Sequence, residues 1–271
     1  MNKVIYKLIS NIFLFLSIVY IFFTNPFKDS CITADNILLI FIVFILIHIF
    51  KCLRQYLLLI EFNINFIDYF FAYVKGTFVS IVFPFKIGEL YKAYQYGYLI
   101  NNYVKGFITI IIDKIFDAVI LLTIIIPYEI IKYNSISMLS CILLIFITIV
   151  LIIFISFNTT YYYLNKHFIT QKDDNRSLVV LKILDYCNDL YSNVKNMIKH
   201  RITLIVTFAI ISWICEYFFV LLLGGVSFSE YVNAVFFANN DMILSNYTIV
   251  AFYCFIFIQI IYLFRKCGNN Q

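Results

Sequence analysis

Pro84-Phe85-Lys86-Ile87-Gly88-Glu89-Leu90 is where an otherwise apolar chain stops reading as membrane-spanning helix. Upstream, residues 62–83 are apolar but interrupted by Asn63, Asn65, Asp68, Lys75 and Gly76; downstream, the chain to Gly97 is amphipathic and charged. A proline, a glycine and opposite charges are costly inside a bilayer, where the backbone must satisfy its own hydrogen bonds. Such groups at membrane depth mark a functional-site hypothesis by default.

The surroundings establish that depth. The 271 residues are 63% hydrophobic and 13% charged, with a mean hydropathy of +0.93. A soluble domain would be about half apolar and about a quarter charged. Apolar runs at 4–23, 37–58, 106–127, 137–157, 202–223 and 247–264 each approach the length a membrane helix needs, about 20 residues. The expected class is all-α: a polytopic helical membrane protein with about six full spans plus a re-entrant or broken-helix hairpin around Pro84. Lys3 and Lys7 before the first run resemble a signal sequence, but no A-x-A-like site follows, so an uncleaved first span is expected. Seven cysteines, with no CxxC pair, read as free buried thiols. The histidines at 48, 167 and 200 are too scattered for a metal site. No metal, no cofactor and no nucleic-acid partner is expected.

The distribution of positive charge decides how 62–97 meets the membrane. If it crossed once, Lys166, Lys172, Arg176, Lys182, Lys195, Lys199 and Arg201 would face outside, against the positive-inside rule. If it dips in and returns, that stretch is cytoplasmic, together with Lys3, Lys7, Lys51, Arg54, Lys75, Lys86, Lys92, Lys105, Arg265 and Lys266. Residues 1–271 then form one integral membrane domain, with 62–97 as a re-entrant element, 158–200 as a basic cytoplasmic segment and both termini cytoplasmic. Residues 224–246 carry no Lys or Arg, which suits an external loop, and 231–238 are apolar enough to insert partly.

Chemistry is concentrated in three places. Pro84 suits the first turn of a helix and Gly97 its end. Between them Lys86, Glu89 and Lys92 form a polar stripe opposite Phe85, Leu90 and Tyr94. A helix starting within the membrane aims its free N–H groups and dipole at whatever fills the cavity, and Lys86 adds a full charge, so a phosphate could be held there. The competing reading is an interfacial helix whose lysines snorkel to headgroups. Asp113 and Asp117 share a helix face and Lys114 lies beside them. They form either a static ion-pair cluster or the lining of a hydrated groove. Trp213 and Glu216 lie three apart on another span; Glu216 lacks a basic neighbour within a turn and needs a partner elsewhere or a proton. Asp29 and Asp35 in the first external loop read as solvated acids. Nucleophilic triads and Gly-rich phosphate loops are absent, so no catalytic residue is assigned.

Taken in order, Pro84-Phe85-Lys86-Ile87-Gly88-Glu89-Leu90-Tyr91-Lys92-Ala93, Asp113-Lys114-Ile115-Phe116-Asp117 and Trp213-Ile214-Cys215-Glu216 resemble the lysylphosphatidylglycerol synthase transmembrane family. These are flippase-like membrane proteins that include the membrane half of the multiple peptide resistance factor. Arg54 and Tyr56 sit where that family tends to carry a basic-aromatic cluster. The resemblance covers roughly 1–225. It implies a helical domain with re-entrant elements that moves or accommodates anionic or lipid-linked molecules in a bacterial cytoplasmic membrane. Aminoacyl transfer in bifunctional relatives belongs to a soluble domain that these residues do not contain, so enzyme activity is not expected. One departure stands out. Where many relatives have a second Pro/Gly-rich, Glu-containing element, this chain reads Phe236-Phe237-Ala238-Asn239-Asn240-Asp241.

The expected function is a flippase or translocase of an anionic phospholipid or lipid-linked envelope precursor. Lys86, Glu89, Asp113, Lys114, Asp117, Glu216 and Arg54 would contact substrate, and Pro84, Gly88 and Trp213 would shape the site. The expected partner is the lipid or lipid-linked substrate. The alternatives are a non-transporting membrane subunit that recruits an envelope-polysaccharide or glycolipid enzyme through 158–200, and a membrane transferase using the lipid cavity.

Overall fold

The computed structural model describes residues 3–24, 36–83, 87–170, 175–223, 231–232 and 241–268, with backbone only at 3, 175–176, 241–244 and 263–268. The described residues are helical almost throughout: α1 (Lys3–Thr24), α2 (Ile37–Leu59, extended by a 3-10 turn, Ile60–Phe62), α3 (Phe66–Val82), α4 (Ile87–Ile100), α5 (Tyr103–Tyr133), α6 (Met138–Thr170), α7 (Asn175–Ile198), α8 (Ile202–Leu223) and α9 (Asp241–Gly268). The all-α membrane class expected from composition is what is found. Among the described residues five helices are long and apolar enough to cross a membrane: Val4–Thr24, Ile37–Phe62, Met138–Thr170, Ile202–Leu223 and Ser245–Tyr262. The sixth expected run, 106–127, lies within α5, whose 31 residues give about 46 Å of helix. Asp113, Lys114 and Asp117 interrupt it, so it is less uniformly apolar than the other five.

The chain divides into two compact units, Met1–Ile111 with Thr207–Gln271, and Ile112–Val206. In the first, α3 packs against α1, α2, α4 and α9. A helix of 17 residues, about 26 Å, is short for a bilayer core of about 30 Å. It starts where the Asn65 side chain accepts the Ile67 N–H and stops before Pro84, which lies outside the described residues. Its partner α4 runs antiparallel to it. A Cβ on Gly88 would lie 2.0 Å from the Ser80 Cα, and one on Gly76 would lie 2.9 Å from the Lys92 Cγ. Farther along, the Tyr69 and Tyr96 rings lie 5.5 Å apart. The expected pair of short helices flanking Pro84 is therefore a tight helical hairpin, and Gly88 permits backbones to approach where any side chain would not fit. A second close contact joins α4 to α5, where a Cβ on Gly106 would lie 2.4 Å from the Gly97 nitrogen. Asn101, with φ 58°, makes the turn, and Asn102 caps α5 by accepting the Lys105 N–H at 3.1 Å.

The core of this unit collects Ile21, Cys52, Leu59, Tyr69, Tyr73, Phe78, Tyr96 and Phe255, with a second cluster of Ile40, Phe44, Ile47, Phe219 and Val250. In the other unit, α6 and α7 pair antiparallel. Tyr191 rests on Phe154 and Phe157, with centroids 5.0 and 4.7 Å apart, and Tyr161 donates to Asp185 at 3.2 Å. Between α5 and α6, the Glu129 carboxylate accepts the Ser137 N–H at 3.0 Å and Ser137 caps the Ser140 N–H. The described cysteines are free; Cys52 is buried, but Cys141 is exposed on α6 rather than buried as expected. A residue such as Ile155 on α6, 77% exposed, is ordinary where the solvent is lipid.

Candidate functional site

The hairpin turns its polar side inward. On α4, Lys92 is 5% exposed while Leu90 is 60% exposed. This inverts the soluble-protein rule and fits a helix whose outer face meets hydrocarbon. The Lys92 ammonium sits 4.9 Å from the centre of the Tyr73 ring on α3, a cation–π contact. Glu89, half-buried, accepts the Ser80 hydroxyl at 2.9 Å across the hairpin seam. Gln95 donates to Ser10 at 3.2 Å, Ser10 meets the Tyr91 hydroxyl at 2.8 Å, and Tyr6 donates to Gln95, tying α1 to α4. Tyr96 donates to Gln55 at 2.6 Å and Tyr69 to the Cys52 carbonyl at 2.7 Å, tying the hairpin to α2.

Beyond Tyr73 the polar contacts continue. The Tyr73 hydroxyl lies 3.1 Å from Nδ1 of His48, at the midpoint of α2, and the Tyr247 hydroxyl of α9 lies 3.3 Å from Nε2. One turn along α2, Lys51 forms an ion pair with Glu216 of α8, whose second carboxylate oxygen accepts the Tyr231 hydroxyl at 3.2 Å. Glu216 is 2% exposed. The partner that the sequence required for it is thus a lysine 165 residues earlier, plus a tyrosine.

Beside this chain of contacts lies a cavity of about 110 Å³ between α2, α3 and α9. Its walls are mostly apolar, among them Phe44, Phe78 and Phe255, while His48, Tyr73 and Thr77 supply the polar groups. The Thr77 hydroxyl has no hydrogen-bond partner among the described residues. Ile45 and Ile49 line the cavity and are also exposed on α2, so it opens at the outer face of one of the apolar, membrane-length helices.

The residues singled out in the sequence fall into three groups. Glu89, Gly88, Glu216, Trp213 and Arg54 belong to the first unit, and all but half-buried Glu89 are buried there; Arg54 on α2 is 0% exposed. Asp113, Lys114 and Asp117 belong to the second unit, on α5; Asp113 is buried, Asp117 half-buried and Lys114 exposed, and each makes polar or electrostatic contacts. Pro84 and Lys86 lie outside the described residues, as do most of 224–240, including the departure at Phe236–Asn240. Of that region Tyr231 and Val232 are helical and buried. Sequence reading missed His48, Lys51, Tyr73, Tyr231 and Tyr247. The signal was present in part: His48 and Lys51 interrupt an apolar run one turn apart. Among the described residues no group of His, Cys, Asp or Glu could hold a metal ion.

Searches of curated proteins and of solved structures gave no match to this chain. The sequence profile of the lysylphosphatidylglycerol synthase TM region matches residues 9–230, a stretch that contains the hairpin, the charged part of α5 and the Trp213–Glu216 helix. A match over most of the chain that includes all three motifs places it: this multi-pass membrane protein belongs to the lysylphosphatidylglycerol synthase TM region family.

Proposed function

We propose that the protein is a translocase of an anionic phospholipid or a lipid-linked envelope precursor in a bacterial cytoplasmic membrane, with both termini cytoplasmic. One observation carries the reading: an apolar cavity opening at the outer face of α2 has His48 and Tyr73 on its wall, with Lys92 over Tyr73 and Lys51 a turn away. Hydrocarbon chains suit the apolar walls, and a phosphate-bearing headgroup suits the lysines. Lys86, which precedes α4 in the sequence, and the first N–H groups of α4 add a second anion-binding element. Glu89 and Glu216 hold neighbouring donors in place, Asp113, Lys114 and Asp117 engage headgroup amines, hydroxyls or phosphate, and Arg54 supports the anionic preference. Gly88, Pro84 and Trp213 shape the hairpin and its neighbour helix.

The test is reconstitution in liposomes with headgroup-labelled lipids, comparing wild type with Lys86→Ala and Asp117→Asn. Slower transbilayer movement in both variants is expected. Movement unchanged in both would remove these residues from the site.

A second reading is favoured by the α6–α7 hairpin. Val179, Ile183 and Tyr186 form an exposed stripe on α7, next to Lys182, which suits recruitment of an envelope-biosynthesis enzyme. Affinity purification separates the two: a stoichiometric enzyme partner, with no lipid movement by the isolated protein, selects the recruiting subunit.

A further inference from the structure

His48 is held in a way that packing alone does not require. A neutral imidazole has one donor and one acceptor nitrogen. With tyrosine hydroxyls 3.1 Å from Nδ1 and 3.3 Å from Nε2, one hydroxyl donates to the ring and the other accepts from it. Exchanging the tautomer reverses both hydrogen bonds while the heavy atoms stay in place. We infer that Tyr247–His48–Tyr73 is a proton relay, joining the cluster of half-buried Lys51 with buried Glu216 and Tyr231 to the cavity between α2, α3 and α9. The inference deepens the translocase reading above and rests on it for what the proton movement drives.

The balance of the step is simple. A proton arriving through the Tyr247 hydroxyl enters Nε2 as the proton on Nδ1 leaves to the Tyr73 hydroxyl. Each tyrosine releases one hydrogen for each it receives, and the ring ends neutral in the opposite tautomer. The ring regains its starting tautomer by losing the Nε2 proton and taking one at Nδ1, an exchange that water in the adjoining cavity of about 110 Å³, which His48 itself lines, would carry.

The groups facing the ring fit the two ends of such a path. On its own helix Lys51 lies one turn away, and Phe44 packs against the ring at 4.4 Å between centroids. From α3 comes Tyr73, with Lys92 of α4 above its ring; from α9 comes Tyr247. Lys51 and Lys92 both act electrostatically on His48, and Lys51 and Glu216 both act on Tyr247. Glu216, held by Tyr231 and Lys51, is the carboxylate at one end, and Tyr73 opens onto the cavity at the other. Charge at the lysines, and hence the presence of an anionic headgroup, would bias proton movement along this path.

The experiment uses the full chain in liposomes holding a trapped pH dye, with a potassium diffusion potential to draw protons. Wild type should change internal pH faster than protein-free vesicles. His48→Gln, whose amide can still donate to one tyrosine and accept from the other, should return the rate to the protein-free level while leaving the melting temperature unchanged. If His48→Gln does not fold, Tyr73→Phe and Tyr247→Phe should each give the same loss. Wild-type flux equal to that of empty vesicles, or flux retained in every folded variant, overturns the relay. A labelled lipid in the same vesicles keeps the two readings apart. Lipid movement without proton flux removes the relay and leaves the translocase. Proton flux that depends on His48 without lipid movement keeps the relay and removes the translocase.

Discussion

Two antiparallel helical hairpins in this chain solve opposite problems. In α3–α4 the seam is made by small residues, Gly76 and Gly88, so that backbones nearly touch, and the charged side chains of Glu89 and Lys92 face inward while Leu90 faces out. In α6–α7 the seam is made by the rings of Phe154, Phe157 and Tyr191, and polar groups such as Asp185 and Lys182 face out. A seam with nothing between the backbones has no slack, and a seam of rings can readjust. Charge turned into a packed interior must find protein partners, whereas charge on an exposed face can be solvated.

The comparison can be broken first at Gly88. Gly88→Val places side-chain atoms into the Ser80 backbone, and thermal unfolding in detergent should show a loss of about 3 kcal/mol or more, or no folded protein. Tolerance of valine there would mean the hairpin is not tightly closed. Next comes the inward charge: Glu216→Leu leaves Lys51 without its carboxylate, costing about 3 kcal/mol, and the added Lys51→Met should recover most of it. Failure of the second change to recover stability would make the pair irrelevant to the fold. Tyr191→Ala removes two ring contacts from the α6–α7 seam and should cost about 1–2 kcal/mol, less than the glycine change. The smallest effect belongs to Tyr161→Phe: loss of an exposed hydrogen bond to Asp185 should change stability by about 0.5 kcal/mol or less. A large effect there would mean that α7 is not as open to solvent as it looks.

Much of the first hairpin was legible because proline, glycine and charge are rare in a chain this apolar, so Pro84, Gly88 and Glu89 marked its turn. The class was equally plain from 63% hydrophobic residues. Glu216 announced its need for a partner but not the partner's identity, since Lys51 is distant in sequence and close only after folding. His48 was set aside because a metal site needs several ligands close together, and hydrogen bonds to tyrosines leave no spacing signature in a sequence with 22 tyrosines. The glycine seam was visible only as Gly76 and Gly88; that they pack α3 against α4 follows from the antiparallel pairing.

The most direct test of the central claim is transbilayer movement of a labelled anionic phospholipid in vesicles containing the purified wild-type protein, read by chemical quenching of the outer leaflet. The account predicts quenching well beyond the outer-leaflet share, and faster for the anionic lipid than for a zwitterionic one. Quenching that stops at the level of protein-free vesicles for both lipids would contradict it.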